Sequence, residues 1–132
     1  MPKPIKKGIQ MTTPRLANAE LAVMEHLWKE GRLTARRLRE QLYPDATRSA
    51  HGTIQRLLQR LEDKGFVHRD GSLGTQLFSA QISREAYASG RLEALADRIT
   101  GGSLVPMITQ LIEDEKLAPE EIERLRTILN EG

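Results

Sequence analysis

The chain has 132 residues, 39% of them hydrophobic and 29% charged, a balance that excludes disordered and fibrous classes and leaves room for one ordinary domain, or a small domain with an oligomerisation element. Without cysteine there is no disulfide, zinc-finger cluster, thiolate copper site or cysteine nucleophile. The formal charge of +2 averages two unlike halves: fourteen Lys or Arg face eight acids through Ile82, whereas six face ten from Ser83 onward, as expected when one half meets phosphate and the other meets protein.

No apolar run approaches the length of a bilayer crossing, and the lysine-bearing N-terminus lacks the hydrophobic stretch of a signal peptide, so a cytoplasmic location is expected. Residues 1–15 carry Pro2, Pro4, Gly8 and Pro14 among Lys3, Lys6, Lys7 and Arg15. They read as a flexible basic arm. From Asn18, taken as N-cap, Leu21, Met24, Leu27 and Trp28 recur at helical spacing until Gly31. Leu33, Thr34 and Leu38 predict a staple around a threonine N-cap, opening a short second helix with Leu38 and Leu42 inward. Pro44 ends it.

The third helix is predicted to begin near Ser49. Its inward stripe is Ile54, Leu57, Leu58 and Leu61, and Gly65 stands where a left-handed C-cap is wanted. At about 100° per residue, Gly52, Gln55, Arg56 and Gln59 fall on the opposite face with Arg60 on its flank. That inventory suits base edges, since arginine pairs bidentately with guanine and glutamine with adenine. Phe66 to Arg69 and Thr75 to Ala80 then read as two β-prone runs around a glycine-rich loop, a hairpin. Three helices and a hairpin give the winged-helix order. The third helix would enter the major groove and the hairpin would lie along the phosphates, with Arg69 and His68 near the backbone. The candidate DNA-binding set is Ser49, His51, Gly52, Thr53, Gln55, Arg56, Arg60 and Arg69.

After Ser83, a good N-cap, Ala88, Leu92, Leu95 and Ile99 advance by four, three and four, the spacing of a helix packed on a helix. Gly101 and Gly102 break the pattern. Ser103 can cap a further helix bearing Leu104, Met107, Ile108, Leu111 and Ile112, with Pro106 in its first turn. A last helix starts at Pro119, with Ile122, Leu125 and Leu129 as its stripe. Three amphipathic helices of this length do not close a core by themselves. Ala88, Leu92, Leu95, Ile99, Leu104, Ile108, Leu111, Ile122, Leu125 and Leu129 are therefore the expected dimerisation residues, paired with a second copy of the chain. Folding back on the winged helix within a monomer is the alternative.

The three histidines, His26, His51 and His68, form no local ligand pair, so no metal and no cofactor are expected. Ser49 and Ser103 read as helix caps rather than nucleophiles, and no enzyme is expected. The lone Trp28 reads as core.

Several strings together resemble a known family. Ala19-Glu20 with Met24 and Trp28, Thr53-Ile54 with Leu57, Arg60-Leu61 and Lys64-Gly65, then Gly101-Gly102-Ser103 and Glu120-Glu121-Ile122-Glu123 with Leu125 and Leu129, are similar to the penicillinase-repressor family, which includes methicillin-resistance and copper-operon repressors. The resemblance covers residues 16–130. It implies a dimeric repressor with an N-terminal winged helix over 16–82, a helical dimerisation region over 83–132 and a palindromic operator. It also implies that Gln55, Arg56 and Arg60 contact that operator, with Thr53 as scaffold.

Two departures from the family pattern stand out. A long basic residue is common just before that threonine, where this chain has Gly52, so a contact is either missing or supplied by Arg56 or His51. Members cut during induction resemble one another at an Asn-Phe bond, where this chain has Gln110-Leu111; the inducing protease or ligand is unassigned. Two other functions stay open on the residues alone: a winged-helix protein-interaction module, and a ligand-sensing regulator with a pocket between wing and dimer helices.

Overall fold

Helix α1 (Asn18–Glu30) opens the computed structural model, which describes residues 14–46 and 48–131, the last by its backbone alone. The expected basic arm lies outside the described residues except for Pro14 and Arg15, both exposed. The cap of α1 differs from expectation. Asn18 is already helical and Ala17 is the extended N-cap; the N-terminus is secured instead by Glu20, whose Oε1 accepts the Ala17 N–H at 2.9 Å. An acceptor three residues into the helix thus does from inside what an N-cap side chain does from outside. At the other end Gly31 takes φ 91°, where its N–H reaches Leu27 O at 2.8 Å.

Strand β1 (Arg32–Leu33) follows at once, and Thr34 caps α2 (Ala35–Leu42) by accepting the Arg37 N–H at 3.1 Å. Helix α3 (Arg48–Asp63) begins one residue before the predicted start and buries Ala50, Ile54, Leu57, Leu58 and Leu61. Gly65 has φ 82° and ends it in a Schellman turn, with Phe66 N–H to Leu61 O at 2.9 Å and Gly65 N–H to Glu62 O at 3.0 Å. The hairpin is β2 (Val67–Asp70), one residue later than the β-prone run that predicted it, and β3 (Leu77–Ala80), two residues shorter than its run. Ser72 N–H donates to Asp70 Oδ1 at 2.9 Å, and Gly74 turns the chain at φ 91°.

The sheet has order β1-β3-β2, antiparallel throughout, so β3 is central and pairs Arg32 with Ser79 on one side and His68 with Ser79 on the other. Strand β1 was not foreseen. With helices α4 (Arg84–Ile99), α5 (Val105–Glu113) and α6 (Pro119–Glu131), the described residues hold six helices and one small sheet, a mainly helical fold consistent with a winged helix.

These residues form two compact units, one through Ser89 and one from Gly90. The core of the first joins Val23, Met24 and Leu27 of α1, Leu38 of α2, the apolar face of α3, and Leu33, Val67 and Phe78 of the sheet. Its border falls inside α4 because the first turn of that helix packs backwards. Tyr87 lies edge-on to Phe66 and tilted against Trp28, its hydroxyl accepting the Leu16 N–H at 2.9 Å. Trp28 Nε1 donates to Ile82 O at 2.8 Å, and the Arg84 guanidinium lies 5.1 Å from the Trp28 ring centre. Trp28 is thus half-buried against the core, with its N–H satisfied as indoles removed from water require.

In the second unit, Ala96 is buried, and Gly101 and Gly102 take φ 67° and 94° after α4. Ser103 Oγ accepts the Val105 N–H at 3.3 Å, with Leu104 leading into α5 and Pro106 harmless in its first turn. Helix α6 repeats the device of α1: Ala118 N–H donates to Glu121 Oε1 at 2.8 Å. The apolar stripes of this unit are incompletely covered. Leu92, Leu95, Leu111 and Leu125 are exposed, Ile99 and Leu129 as much as 69% and 77%, whereas Leu104, Ile108 and Ile122 are half-buried; Ala88, also exposed, falls in the first unit. Val105, Ile112 and Ile128 are also exposed, which the spacing did not single out.

Candidate nucleic-acid interface

Helix α3 buries one face so completely that its other face is defined by elimination. Ser49, His51, Gln55, Arg56, Gln59 and Arg60 are exposed there, with Gly52 and Thr53 half-buried among them. The structure therefore gathers seven of the eight predicted positions on a single helix surface. The side chains hold one another along it. Gln55 Nε2 lies 3.4 Å from His51 Nε2, Arg56 Nη2 donates to Thr53 Oγ1 at 3.4 Å, and the Thr53 hydroxyl donates to Ser49 O at 3.5 Å.

Polarity along α3 is uneven. Exposed arginines stand at its first position (Arg48), its middle (Arg56) and its last turn (Arg60), and acids occur only at its end, where Glu62 and Asp63 join Arg60 and Gln59 is held by a 3.0 Å bond to Asp63 Oδ1. Arg48 adds its charge to the partial positive charge that the helix dipole puts at the N-terminus. On the flank nearer α1, Arg60 is close enough to help hold the Glu20 carboxyl in its charged form.

Arg69 stands apart from the other seven. Strand alternation turns Val67 inward, hence His68 outward and Arg69 inward again. Its guanidinium donates from Nε and Nη2 to Glu62 Oε1 at 3.1 and 2.9 Å and from Nη1 to Gln76 Oε1 at 2.7 Å, and it covers the Phe78 ring at 5.0 Å. It fastens the hairpin to the end of α3. On the outer face of β2, His68 is exposed beside Asp70, whose carboxyl is held below its ordinary value by the Ser72 N–H and hydroxyl.

Three cations escaped the sequence reading. Arg36 and Arg37 project from the first turn of α2, 83% and 58% exposed, each near Glu40, and Arg48 opens α3. A signal for the first two was present: two arginines in the first turn after a threonine cap, beside the inward Leu38, on an eight-residue helix.

The model of the penicillinase repressor family matches residues 16–131, through both units and all six helices. The chain belongs to the penicillinase repressor family. Among its relatives, the penicillinase repressor of Bacillus licheniformis is 30% identical over 120 residues, covering 89% of this chain and 91% of that protein. The methicillin resistance regulatory protein MecI of Mammaliicoccus sciuri is 25% identical over 118 residues, covering 89% and 95%. The penicillinase repressor of Staphylococcus aureus is 25% identical over 118 residues, covering 88% and 91%. This penicillinase repressor family member thus aligns with its relatives over almost their whole length, and Gln110-Leu111 lies inside α5, where Gln110 Nε2 is bonded to Asp114. No helix among the described residues is long and apolar enough to cross a membrane.

Proposed function

We propose that the protein is a homodimeric, sequence-specific DNA-binding repressor of transcription. Helix α3 enters the major groove of a palindromic operator, with Gln55 and Arg56 on base edges, Arg48, Ser49, His51, Thr53 and Arg60 around them, and Arg36 and Arg37 of α2 on phosphates. The hairpin lies beside the backbone, presenting His68 and its tip, while Arg69 steadies it from behind. The observation that carries this reading is the outward face of α3, polar and bearing Arg48, Arg56 and Arg60 along its length, and bordered by a hairpin fastened to its end. Membership of a repressor family supports the same conclusion.

The partner in the dimer is a second copy of the chain, joined through the exposed stripes of α4, α5 and α6. Leucines and isoleucines exposed on three successive helices of one small unit are the pattern of a core completed by association. The test is selection of bound fragments from genomic DNA, followed by a salt titration on the selected site. A repressor dimer retains a two-fold site whose half-site centres lie about one helical turn apart, or a multiple of that, and its log affinity falls steeply with log salt. Failure to retain any site would falsify the reading.

A further inference from the structure

Gly52 is the one glycine inside α3, and it lies in the middle of the outward face, one turn from both Arg48 and Arg56. Glycine weakens an exposed helix interior relative to alanine because its unfolded chain has more freedom to lose. Two structural demands ordinarily account for such a glycine, and neither operates here. Its φ is not in the left-handed region, unlike those of Gly31, Gly65 and Gly74. Nor is it crowded: within this chain a Cβ at Gly52 would meet only Arg56 Nη1, at 3.5 Å, an ordinary contact with the end of a flexible side chain. The fold of the chain gives no reason for the missing side chain.

What the missing side chain leaves is a shallow gap in the helix surface, over which the Arg56 guanidinium rests, held by its 3.4 Å bond to Thr53. Side chains on a helix lean toward its N-terminus, so a residue four positions on covers the place of the one before it. Arg56 can vacate that place when a guanine edge offers two acceptors, because only one long bond to a neutral hydroxyl holds it there.

We propose that Gly52 is the point of closest approach between α3 and its operator: the gap admits a base edge against the helix backbone and sets the depth from which Arg56 reads. The inference rests on the repressor reading and adds to it a specificity-determining position that acts by having no side chain. In this respect Gly52 does for a base pair what glycines do for a phosphate wherever backbone and ligand must nearly touch.

The experiment compares the full-length parent with Gly52→Ala and Gly52→Lys on the operator selected by the parent and on an unrelated duplex, at one salt concentration, alongside thermal melting. For Gly52→Ala the expected result is a melting temperature equal to or a few degrees above the parent's, unchanged affinity for the unrelated duplex, and a loss of about tenfold or more on the operator. Gly52→Lys is expected to bind the unrelated duplex more tightly and the operator less selectively, since it adds a charge and fills the gap. Unchanged operator affinity in Gly52→Ala overturns the proposal, and so does a lowered melting temperature, which would show that folding needs the glycine. If the parent itself selects no site, the repressor reading fails and takes this inference with it; an operator bound equally by parent and Gly52→Ala removes this inference alone.

Discussion

Lys64 Nζ lies 3.0 Å from both carboxylate oxygens of Glu20, joining the end of α3 to the first turn of α1. The Glu20 side chain is 3% exposed and that of Lys64 34%. Burial raises the carboxyl pKa, but the Ala17 N–H, the Lys64 ammonium and the Arg60 charge outweigh it and hold the group below its ordinary value of 4.5. A folded-state pKa lower than the unfolded one contributes stability that is fully present above the unfolded value and is lost as pH falls through the folded value. Denaturant midpoints should therefore change little through this group from pH 7 to 5, then fall below about pH 4.5. Glu20→Gln should cost about 1.5 to 3 kcal/mol at pH 7, the range for hydrogen bonds to charged groups, and flatten the acid limb. An acid limb identical to the parent's would show that Glu20 does not drive it.

Arg56→Ala is expected to weaken a selected operator by about 1 to 3 kcal/mol and to relax preference at one position of each half-site. Competition binding against single-base operator variants reads both effects. Equal loss on all sequences would make Arg56 a phosphate contact.

Arg36→Ala with Arg37→Ala should weaken operator and unrelated DNA alike. The slope of log affinity against log salt should shrink by about 2 for each protomer, near one counterion per phosphate contact. A sequence-dependent loss with an unchanged slope would remove α2 from the backbone contacts.

Arg69→Ala separates a brace from a phosphate ligand. Losing the bonds to Glu62 and Gln76 and the cover over Phe78 should lower stability by about 1 to 2 kcal/mol and leave the salt slope as it was. A slope reduced by about 1 per protomer, with stability intact, would instead put the guanidinium on DNA.

Leu95→Asp and Leu129→Asp place charges on the exposed stripes of α4 and α6. In sedimentation at micromolar concentration each variant is expected to run as a monomer and to lose most of its operator affinity, because the two half-sites are no longer read together. A dimer that survives both changes would move the interface elsewhere.

Much of the first unit was legible because its elements announce themselves locally. The stripe of Ile54, Leu57, Leu58 and Leu61, the stop at Gly65 and the hairpin after it each need only a short window of sequence. What escaped depends on partners distant in the chain. Strand β1 is two residues long and exists because Leu33 meets Phe78, forty-five positions away. The direction of Arg69 follows from which neighbour the core captures, and Val67 rather than His68 was captured. The start of α1 was misplaced because Glu20, inside the helix, replaces the side chain that a cap normally supplies. On the candidate interface the helix was found while its most N-terminal arginine, Arg48, was passed over, since a start at Ser49 left it outside.

The packing around Trp28 has an experimental use. All five aromatic residues lie between Trp28 and Tyr87, so fluorescence and near-ultraviolet dichroism report on the first unit alone, whereas far-ultraviolet dichroism sums the helices of both. The indole, bonded to Ile82 and flanked by Arg84 and Tyr87, is sensitive to the seam where α1 meets the first turn of α4. Melting followed by both signals across a dilution series thus tests the proposed dimer: a transition that shifts with protein concentration and leaves the tryptophan emission unmoved is the one expected if the C-terminal helices associate.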